Sequence, residues 1–268
     1  MTHQPAIEKA LADGGLLSRD EGAVRVLTFA RPPGNALNLA TLSALRDSAH
    51  EAARDARVRA VVLESSVDGY FSSGLDLEEL MTLPEPRRRE LFEALIAAYR
   101  ALLAVPKPLV AALSGSAILG GWIIAMACDW RLSSPGAKVA LSEIRIGLSP
   151  TSALIARLAA LSSDPRLVKD MVLRGKTARA EEALAAALVD EILPEADVRA
   201  AALTLARRLA KSPPRAFSEI KRALNAEAAD ETLWRRALEE FSSVFAGAEA
   251  QEGVAALRAK RRPRWEGA

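Results

Sequence analysis

The sequence predicts an α/β core followed by a helical region, and three observations carry that prediction. Between residues 23 and 141, short apolar or alternating runs of strand length recur between amphipathic segments of helix length. From about residue 151 the pattern becomes helix upon helix, with one strand-like interruption. The chain has 268 residues, long enough for folding to bury roughly 70–75% of the surface that the unfolded chain exposes.

In chain order, the stretch before residue 23 reads as carrying a short helix. Ala23–Ala30 alternates apolar and polar residues in its first half and is a strand, stopped by Arg31-Pro32-Pro33-Gly34. Residues 39–54 space Leu39, Leu42, Leu45, Ala49 and Ala52 as one helical face, and Val58–Leu63 is a β-branched strand bounded by charge. Strand, helix, strand implies a right-handed parallel crossover. Ser65–Gly74 reads as a loop, Leu75–Met81 as the start of a helix, and 87–104 as an amphipathic helix ended by Pro106-Lys107-Pro108. Leu109–Leu113 is an apolar strand. Ser114–Gly121 is a small-residue turn opening an apolar helix to about Cys128, and Trp130–Leu132 and Lys138–Leu141 are short strands. Helices follow at 151–161, 165–173, 179–186, 196–211, 214–225, 228–246 and 249–261, with Leu188–Ile192 as the strand among them. Pro194 marks a soft boundary, giving a core at 1–194 and a helical region at 195–268. No internal repeat of 20–50 residues is visible. Leu203, Leu209, Phe217, Trp234, Phe241 and Phe245 put more apolar surface on the C-terminal helices than one small layer hides, which predicts self-association.

Composition narrows the function classes. Half the residues are hydrophobic and 26% are charged, so the chain is neither disordered nor fibrous. Thirty-six basic against 34 acidic residues leave +2, too small an excess to argue for nucleic acid. One cysteine, Cys128, cannot form an intrachain disulfide, and His3 and His50 make no cluster, so metal-free chemistry and a cytoplasmic location are expected. The N-terminus lacks a signal-peptide pattern. The longest apolar stretches, such as 117–128, fall short of the ~18–20 residues of a membrane span, so no membrane association is expected.

Three segments invite chemistry. In Tyr70–Leu77, Gly74 suits a special backbone angle and Asp76 a helix cap, which by themselves describe an ordinary strand-to-helix connection. Ser116–Gly121 is equally a tight turn, although small residues at a helix start let a ligand approach free N–H groups. The third, Leu141–Pro150, contains Glu143, which on residue type alone is a solvated carboxylate or a partner of Arg145.

Taken together, these segments resemble the crotonase, or enoyl-CoA hydratase/isomerase, family, with the likeness running from about Val24 to Arg262. Phe71–Leu77 is similar to the family's first oxyanion-hole segment and Gly115–Asp129 to its second. Arg31-Pro32, Asn35-Ala36-Leu37, Pro106-Lys107-Pro108, Cys128-Asp129 and a gapless run from Glu143 to Arg157 match as well. The resemblance implies a spiral α/β core of repeated ββα turns, a C-terminal trimerisation region, and a homotrimer or dimer of trimers. It implies acyl-CoA thioester substrates and no cofactor beyond the coenzyme A they carry. The thioester oxygen would be held by the backbone N–H groups of Leu75 and Gly120, and pre-aimed donors of this kind stabilise an enolate by ~3–4 kcal/mol each. Substrate contacts are implied for Asn35, Ala36 and Leu37, for Ser73, Gly74, Asp76 and Leu77, and for Gly121, Trp122, Ile123 and Pro150. Lys260 matches a residue that reaches the CoA 3′-phosphate or adenine region, often across a subunit interface. A second family lysine, two residues after the Asp76 match, is Glu78 here.

Hydratases of the family use two glutamates. The first position is Ile123 here and the second is Glu143. One carboxylate suffices to move a double bond: Glu143 takes a C2 proton of a 3-enoyl thioester and returns it at C4. The resemblance is strongest to single-glutamate Δ3,Δ2-enoyl-CoA isomerases, which also lack the glycine-rich stretch that Thr151-Ser152-Ala153-Leu154 replaces. Leu141, Ile144 and Ile146 flank Glu143 and are expected to raise its pKa by desolvation. A hydratase or decarboxylase-type crotonase, or an inactive acyl-CoA-binding subunit, is the alternative reading.

Overall fold

A computed structural model describes residues 14–265. Among the described residues, ten strands form two sheets. The larger has the order β1 (Leu16–Glu21), β2 (Val24–Phe29), β3 (Ala60–Ser65), β5 (Leu109–Leu113), β7 (Trp130–Ser133), β10 (Glu191–Ile192). The smaller has the order β4 (Tyr70–Ser72), β6 (Ser116–Ile118), β8 (Lys138–Ala140), β9 (Ala178–Arg179). The outer pairs β1–β2 and β8–β9 are antiparallel and the remaining pairs are parallel.

The chain leaves the large sheet for the small one three times, β3 to β4, β5 to β6 and β7 to β8, and each passage leads to helix. These helices are α2 (Leu77–Thr82) and α3 (Glu85–Leu103), then α4 (Gly120–Met126), then α5 (Thr151–Leu161) and α6 (Pro165–Arg174). That is the expected spiral of ββα turns. The crossover from β2 through α1 (Leu39–Arg54) to β3 is parallel, as expected.

Period-2 alternation decides which face each strand residue covers. Leu27, Phe29, Val61, Leu63, Leu109 and Leu113 point into the main core. Val24, Val26, Ala60, Val62, Val110 and Ala112 point to the other face, where Val198, Ala202 and Ala206 of α8 (Glu195–Leu209) cover them. The next elements are α9 (Pro214–Leu224), α10 (Glu231–Phe245) and α11 (Ala248–Arg258), preceded in the chain by the short α7 (Ala180–Ala185).

Pairings along the helices fix their directions. Phe92 stacks on Phe241 with centroids 3.8 Å apart, and Tyr99 meets Trp234 edge-on at 5.5 Å, so α3 and α10 are antiparallel. Ser152 bonds to Glu240 while Arg157 bonds to Glu227, so α5 also opposes α10. Arg157 also donates to the Met126 carbonyl at the end of α4, and Leu119 just before α4 packs with Ile146 and Leu148 just before α5. Hence α3, α4 and α5 run in one direction.

The sequence-based reading needs correction in four places. Residues 1–13 of the N-terminal stretch lie outside the described residues, but Leu16–Glu21 is a strand, hidden from pattern analysis because its middle residues face solvent at a sheet edge. Tyr70–Ser72 and Ser116–Ile118, read as loop and turn, are three-residue strands held by pairing with each other. Leu188–Ile192 contracts to two strand residues. Trp234 and Phe241, offered as surface for self-association, are buried within their own chain, whereas Ile220 and Leu224 of α9 are 62% and 73% exposed. Among the described residues, no helix is long and apolar enough to cross a membrane, and no His, Cys, Asp and Glu cluster could hold a metal ion.

Candidate active site

Three adjacent parallel strands of the small sheet end at the same edge, and each delivers one candidate group. Tyr70 pairs with Ser116, Ala117 with Val139, and Ile118 with Ala140. Just beyond those ends lie Leu75, Gly120 and Glu143. The sheet thus assembles residues that are 45 and 23 positions apart in the chain.

Leu75 is held in an isolated parallel bridge with Leu37. Leu37 N donates to Gly74 O at 2.8 Å and Asp76 N donates to Leu37 O at 2.9 Å. The Leu75 N–H therefore points away from Leu37, and it finds no acceptor among the described residues. Gly74 makes the turn with φ of 101°, where a side chain would be strained and its Cβ would come within 3.0 Å of Ile118 O. Opposite it, Leu119 N donates to Ala140 O at 2.8 Å and Leu119 adopts φ of 50°, which turns the chain into α4 and leaves the Gly120 N–H without an acceptor among the described residues. A Cβ on Gly120 would sit 3.3 Å from Leu75 N, so the two free amides are neighbours. Gly121 lets α4 lie against β4, since any Cβ there would meet Ser72 O at 2.4 Å.

The other motif residues hold this frame. Asn35 is buried: its Oδ1 accepts from Arg31 N, and its Nδ2 donates to Ser65 Oγ at 2.8 Å and to Phe71 O at 3.0 Å. Asp76 caps α2 through Glu78 N and Glu79 N and pairs with Arg31 at 2.5 Å. Lys107 donates to Ala52 O and Asp55 O at the end of α1. Asp129 accepts from Leu109 N and from buried Lys221, both at 2.8 Å, which ties β5 to α9. Burial lowers the Lys221 pKa, and the Asp129 carboxylate opposes that shift.

Glu143 begins a 3-10 turn, Glu143–Ile146, and is only 7% exposed. Its Oε2 is buried without a hydrogen-bond partner among the described residues. Burial pushes its pKa up to about 8, with its own backbone N–H opposing the rise. Leu141 and Ile146 are buried as expected, but Ile144 is turned to solvent, 45% exposed. Arg145 makes no ion pair with Glu143 and instead lies over Gly175. Ile123 and Trp122, in the first turn of α4, are buried. Ser73, Leu77 and Ala36 are half-buried, and Leu37 and Pro150 are buried. Lys260 is exposed just past α11, a helix that packs against the Glu143 turn of its own chain through Gly253 and Ala250. Cys128 is buried and its pKa is pushed up to about 12, which rules it out as a thiolate at neutral pH. His50 is exposed on α1.

The raised pKa of Glu143 has a consequence for stability. Between the ordinary value of 4.5 and about 8, the folded chain binds a proton that the unfolded chain has released. Stability therefore falls as pH rises through that window. Glu143→Gln removes the effect, so its melting temperature should exceed that of wild type by more at pH 8.5 than at pH 4.5. Equal differences at the two pH values, read by calorimetry, would show that the carboxyl is solvated.

Sequence reasoning missed Thr151. It has φ of 73°, is fully buried, and its Oγ1 has no partner among the described residues. The signal was a β-branched residue in the stretch 151–154 that, by the family resemblance, replaces a glycine-rich one.

The family description "Enoyl-CoA hydratase/isomerase" matches residues 19–268. A probable enoyl-CoA hydratase, EchA17, of Mycobacterium tuberculosis is 35% identical over 219 residues, 82% of each chain. Carnitinyl-CoA dehydratase of Salmonella arizonae is 29% identical over 252 residues, 92% of this chain and 96% of the relative. The crystal structure of human mitochondrial delta3-delta2-enoyl-CoA isomerase superposes with a TM-score of 0.86 at 25% identity, covering 92% of this chain and 97% of that one.

Proposed function

Because the chain belongs to the enoyl-CoA hydratase/isomerase family, with a crotonase fold, we propose that it is a Δ3,Δ2-enoyl-CoA isomerase. In this reading the Leu75 and Gly120 amides hold the thioester oxygen and Glu143 carries the proton from C2 to C4. The observation that supports it is a buried carboxyl with Oε2 free, which follows the strand next to the one that leads to the free Gly120 amide, while position 123 is an isoleucine. Removing a proton from C2 leaves charge on the thioester oxygen, which the amides stabilise without reorganising. The buried carboxyl has a pKa near neutrality, where it both accepts and returns a proton efficiently. Isomerisation should therefore speed up as pH rises and level off above about 8, as the carboxylate form fills. Coenzyme A, as part of the substrate, is the only cofactor called for, and Lys260 is assigned to its phosphate-bearing end.

Incubation with 3-hexenoyl-CoA and with crotonyl-CoA tests this reading. Conjugation of the first, seen as the rise of α,β-unsaturated thioester absorbance, supports isomerase. Hydration of the second supports the hydratase or dehydratase reading, which the names of the curated relatives favour. Neither reaction, with acyl-CoA still bound, supports a binding subunit.

A homotrimer or dimer of trimers is also proposed. The exposed Ile220 and Leu224 on one amphipathic helix supply apolar surface for it. Light scattering should find an oligomer at micromolar concentration, and Leu224→Asp should shift it toward monomer. A wild-type monomer would refute the assembly.

A further inference from the structure

In the turn that carries the Leu75 amide, the neighbouring N–H groups are already engaged. Ser73 N donates to Gly34 O at 2.8 Å, Gly74 N to Ser72 Oγ at 3.2 Å, and Asp76 N to Leu37 O at 2.9 Å. Between them, Leu75 N has no acceptor among the described residues. Backbone carbonyls of the segment 34–37 serve Ser73 and Asp76, whereas Gly74 depends on a side chain. That side chain is Ser72, fully buried at the end of β4.

A serine hydroxyl carries a single proton and accepts through its lone pairs. The Ser72 proton goes to Asn35 O at 2.7 Å, which leaves the lone pairs for the Gly74 N–H. Asn35 is itself fixed. It takes φ of 50°, which asparagine tolerates better than most residues, and its side chain accepts from Arg31 N and donates to Ser65 Oγ and Phe71 O. A serine that accepts from the N–H two residues on is common in turns. Here the same oxygen also reaches 37 positions back along the chain, so it ties the turn to an anchored segment. Residue 72 also lies against the first turn of α4: a Cβ on Gly121 would come within 2.8 Å of Ser72 Cβ and 2.4 Å of Ser72 O. Ser72 thus meets both segments that supply a free amide.

We infer that Ser72 is a positioning residue of the oxyanion site: its hydroxyl engages the Gly74 N–H and anchors the turn to Asn35, so that the Leu75 N–H alone is presented to the thioester oxygen. With alanine at 72, the Gly74 N–H and Asn35 O both lose a partner, and buried groups of this kind are costly to leave unbonded. The turn relieves that cost by rotating the peptide groups on either side of Gly74, whose φ of 101° reflects the backbone freedom of glycine. Donors stabilise a developing oxyanion only while they are pre-aimed, so such a rotation acts on catalysis without deleting a donor. The inference rests on the reading of the Leu75 and Gly120 amides given above. It holds for isomerisation and hydration alike, because either reaction places charge on that oxygen.

Difference infrared spectroscopy of hexanoyl-CoA, isotope-labelled at its thioester carbonyl, reads the site directly, because donors to that oxygen weaken the C=O bond and lower its stretching frequency. Wild type should lower the frequency on binding. Ser72→Ala should retain about half of that shift or less, bind hexanoyl-CoA within about threefold of wild type, and lower kcat about tenfold on the thioester that wild type converts, a part of the ~100-fold that follows loss of a whole donor. Ser72→Cys keeps a weaker donor and acceptor at the same place, so its losses should be smaller than those of alanine. It also carries the test if the alanine variant folds poorly. A serine with a merely structural role would lower the melting temperature and leave the carbonyl shift and kcat per folded molecule unchanged. That result in the alanine variant, or in the cysteine variant where only that one folds, overturns the inference and leaves the oxyanion reading standing. So does a folded variant that loses binding while its kcat holds. A carbonyl frequency that does not move when wild type binds the thioester overturns both.

Discussion

Glu143→Gln should leave acyl-CoA binding largely intact and slow proton abstraction from C2 by about 100-fold or more, which is ~2.7 kcal/mol or more of transition-state stabilisation. Glutamine preserves the shape of the side chain and has no basic form near neutral pH. Ile123 stands where the family resemblance implies the hydratases' first glutamate, so that matched position offers no carboxylate to take over. The carboxyl is buried, and at pH 7 about a tenth of molecules carry it ionised if its pKa is about 8. In D₂O, wild type should wash label into C2 or C4, at a level set by how often the carboxyl proton exchanges before it returns. The variant should lose label incorporation and isomerisation together. Conversely, Ile123→Glu should introduce some hydration of crotonyl-CoA if the buried pocket accepts a second carboxyl. Full isomerisation and exchange by Glu143→Gln would remove Glu143 from the mechanism and favour a different base.

Gly120→Pro should lower turnover by about 100-fold or more through the other half of the site. Proline has no N–H, so one of the two neighbouring donors disappears. The residue before a proline is pushed to extended backbone at negative φ, whereas Leu119 sits at φ of 50°, so the turn into α4 must also rearrange. Because the turn is built into the small sheet through the Leu119 N–H bond to Ala140 O, part of the effect will appear as lost stability. Turnover per folded molecule, with folding checked by circular dichroism, separates the two. Unchanged turnover in a folded variant would dismiss Gly120 as an oxyanion donor.

Much of the fold was legible in the sequence, and the reasons are local. The helices at 39–54 and 151–161 coincide with their expected bounds, because apolar residues at helical spacing bury one face wherever the helix docks. Leu109–Leu113 likewise coincides, as a short apolar run between prolines and polar residues has few alternatives to a buried strand. Asp76 and Gly74 do what their residue types suggest, one capping a helix and the other taking a positive φ, and in doing so they help set the Leu75 amide. The helix cap and the turn read from that loop are therefore both present in the structure.

By itself the sequence determined most of the order of strands and helices, because periodicity is a property of neighbouring residues, and the family resemblance, which in turn named the three candidate groups at 75, 120 and 143. Only the tertiary structure decided that Leu16–Glu21 and the three-residue strands exist, since such short or solvent-facing strands have no pattern of their own and form by pairing with distant partners. It also decided that Trp234 and Phe241 close the core of their own chain, and that Ile144 faces solvent while Glu143 does not. The raised pKa of Glu143 and the unbonded hydroxyl of Thr151 belong to the same class. Desolvation and hydrogen-bond satisfaction depend on which distant segments exclude water from a group, and that is settled only when the helices and the small sheet come together around it.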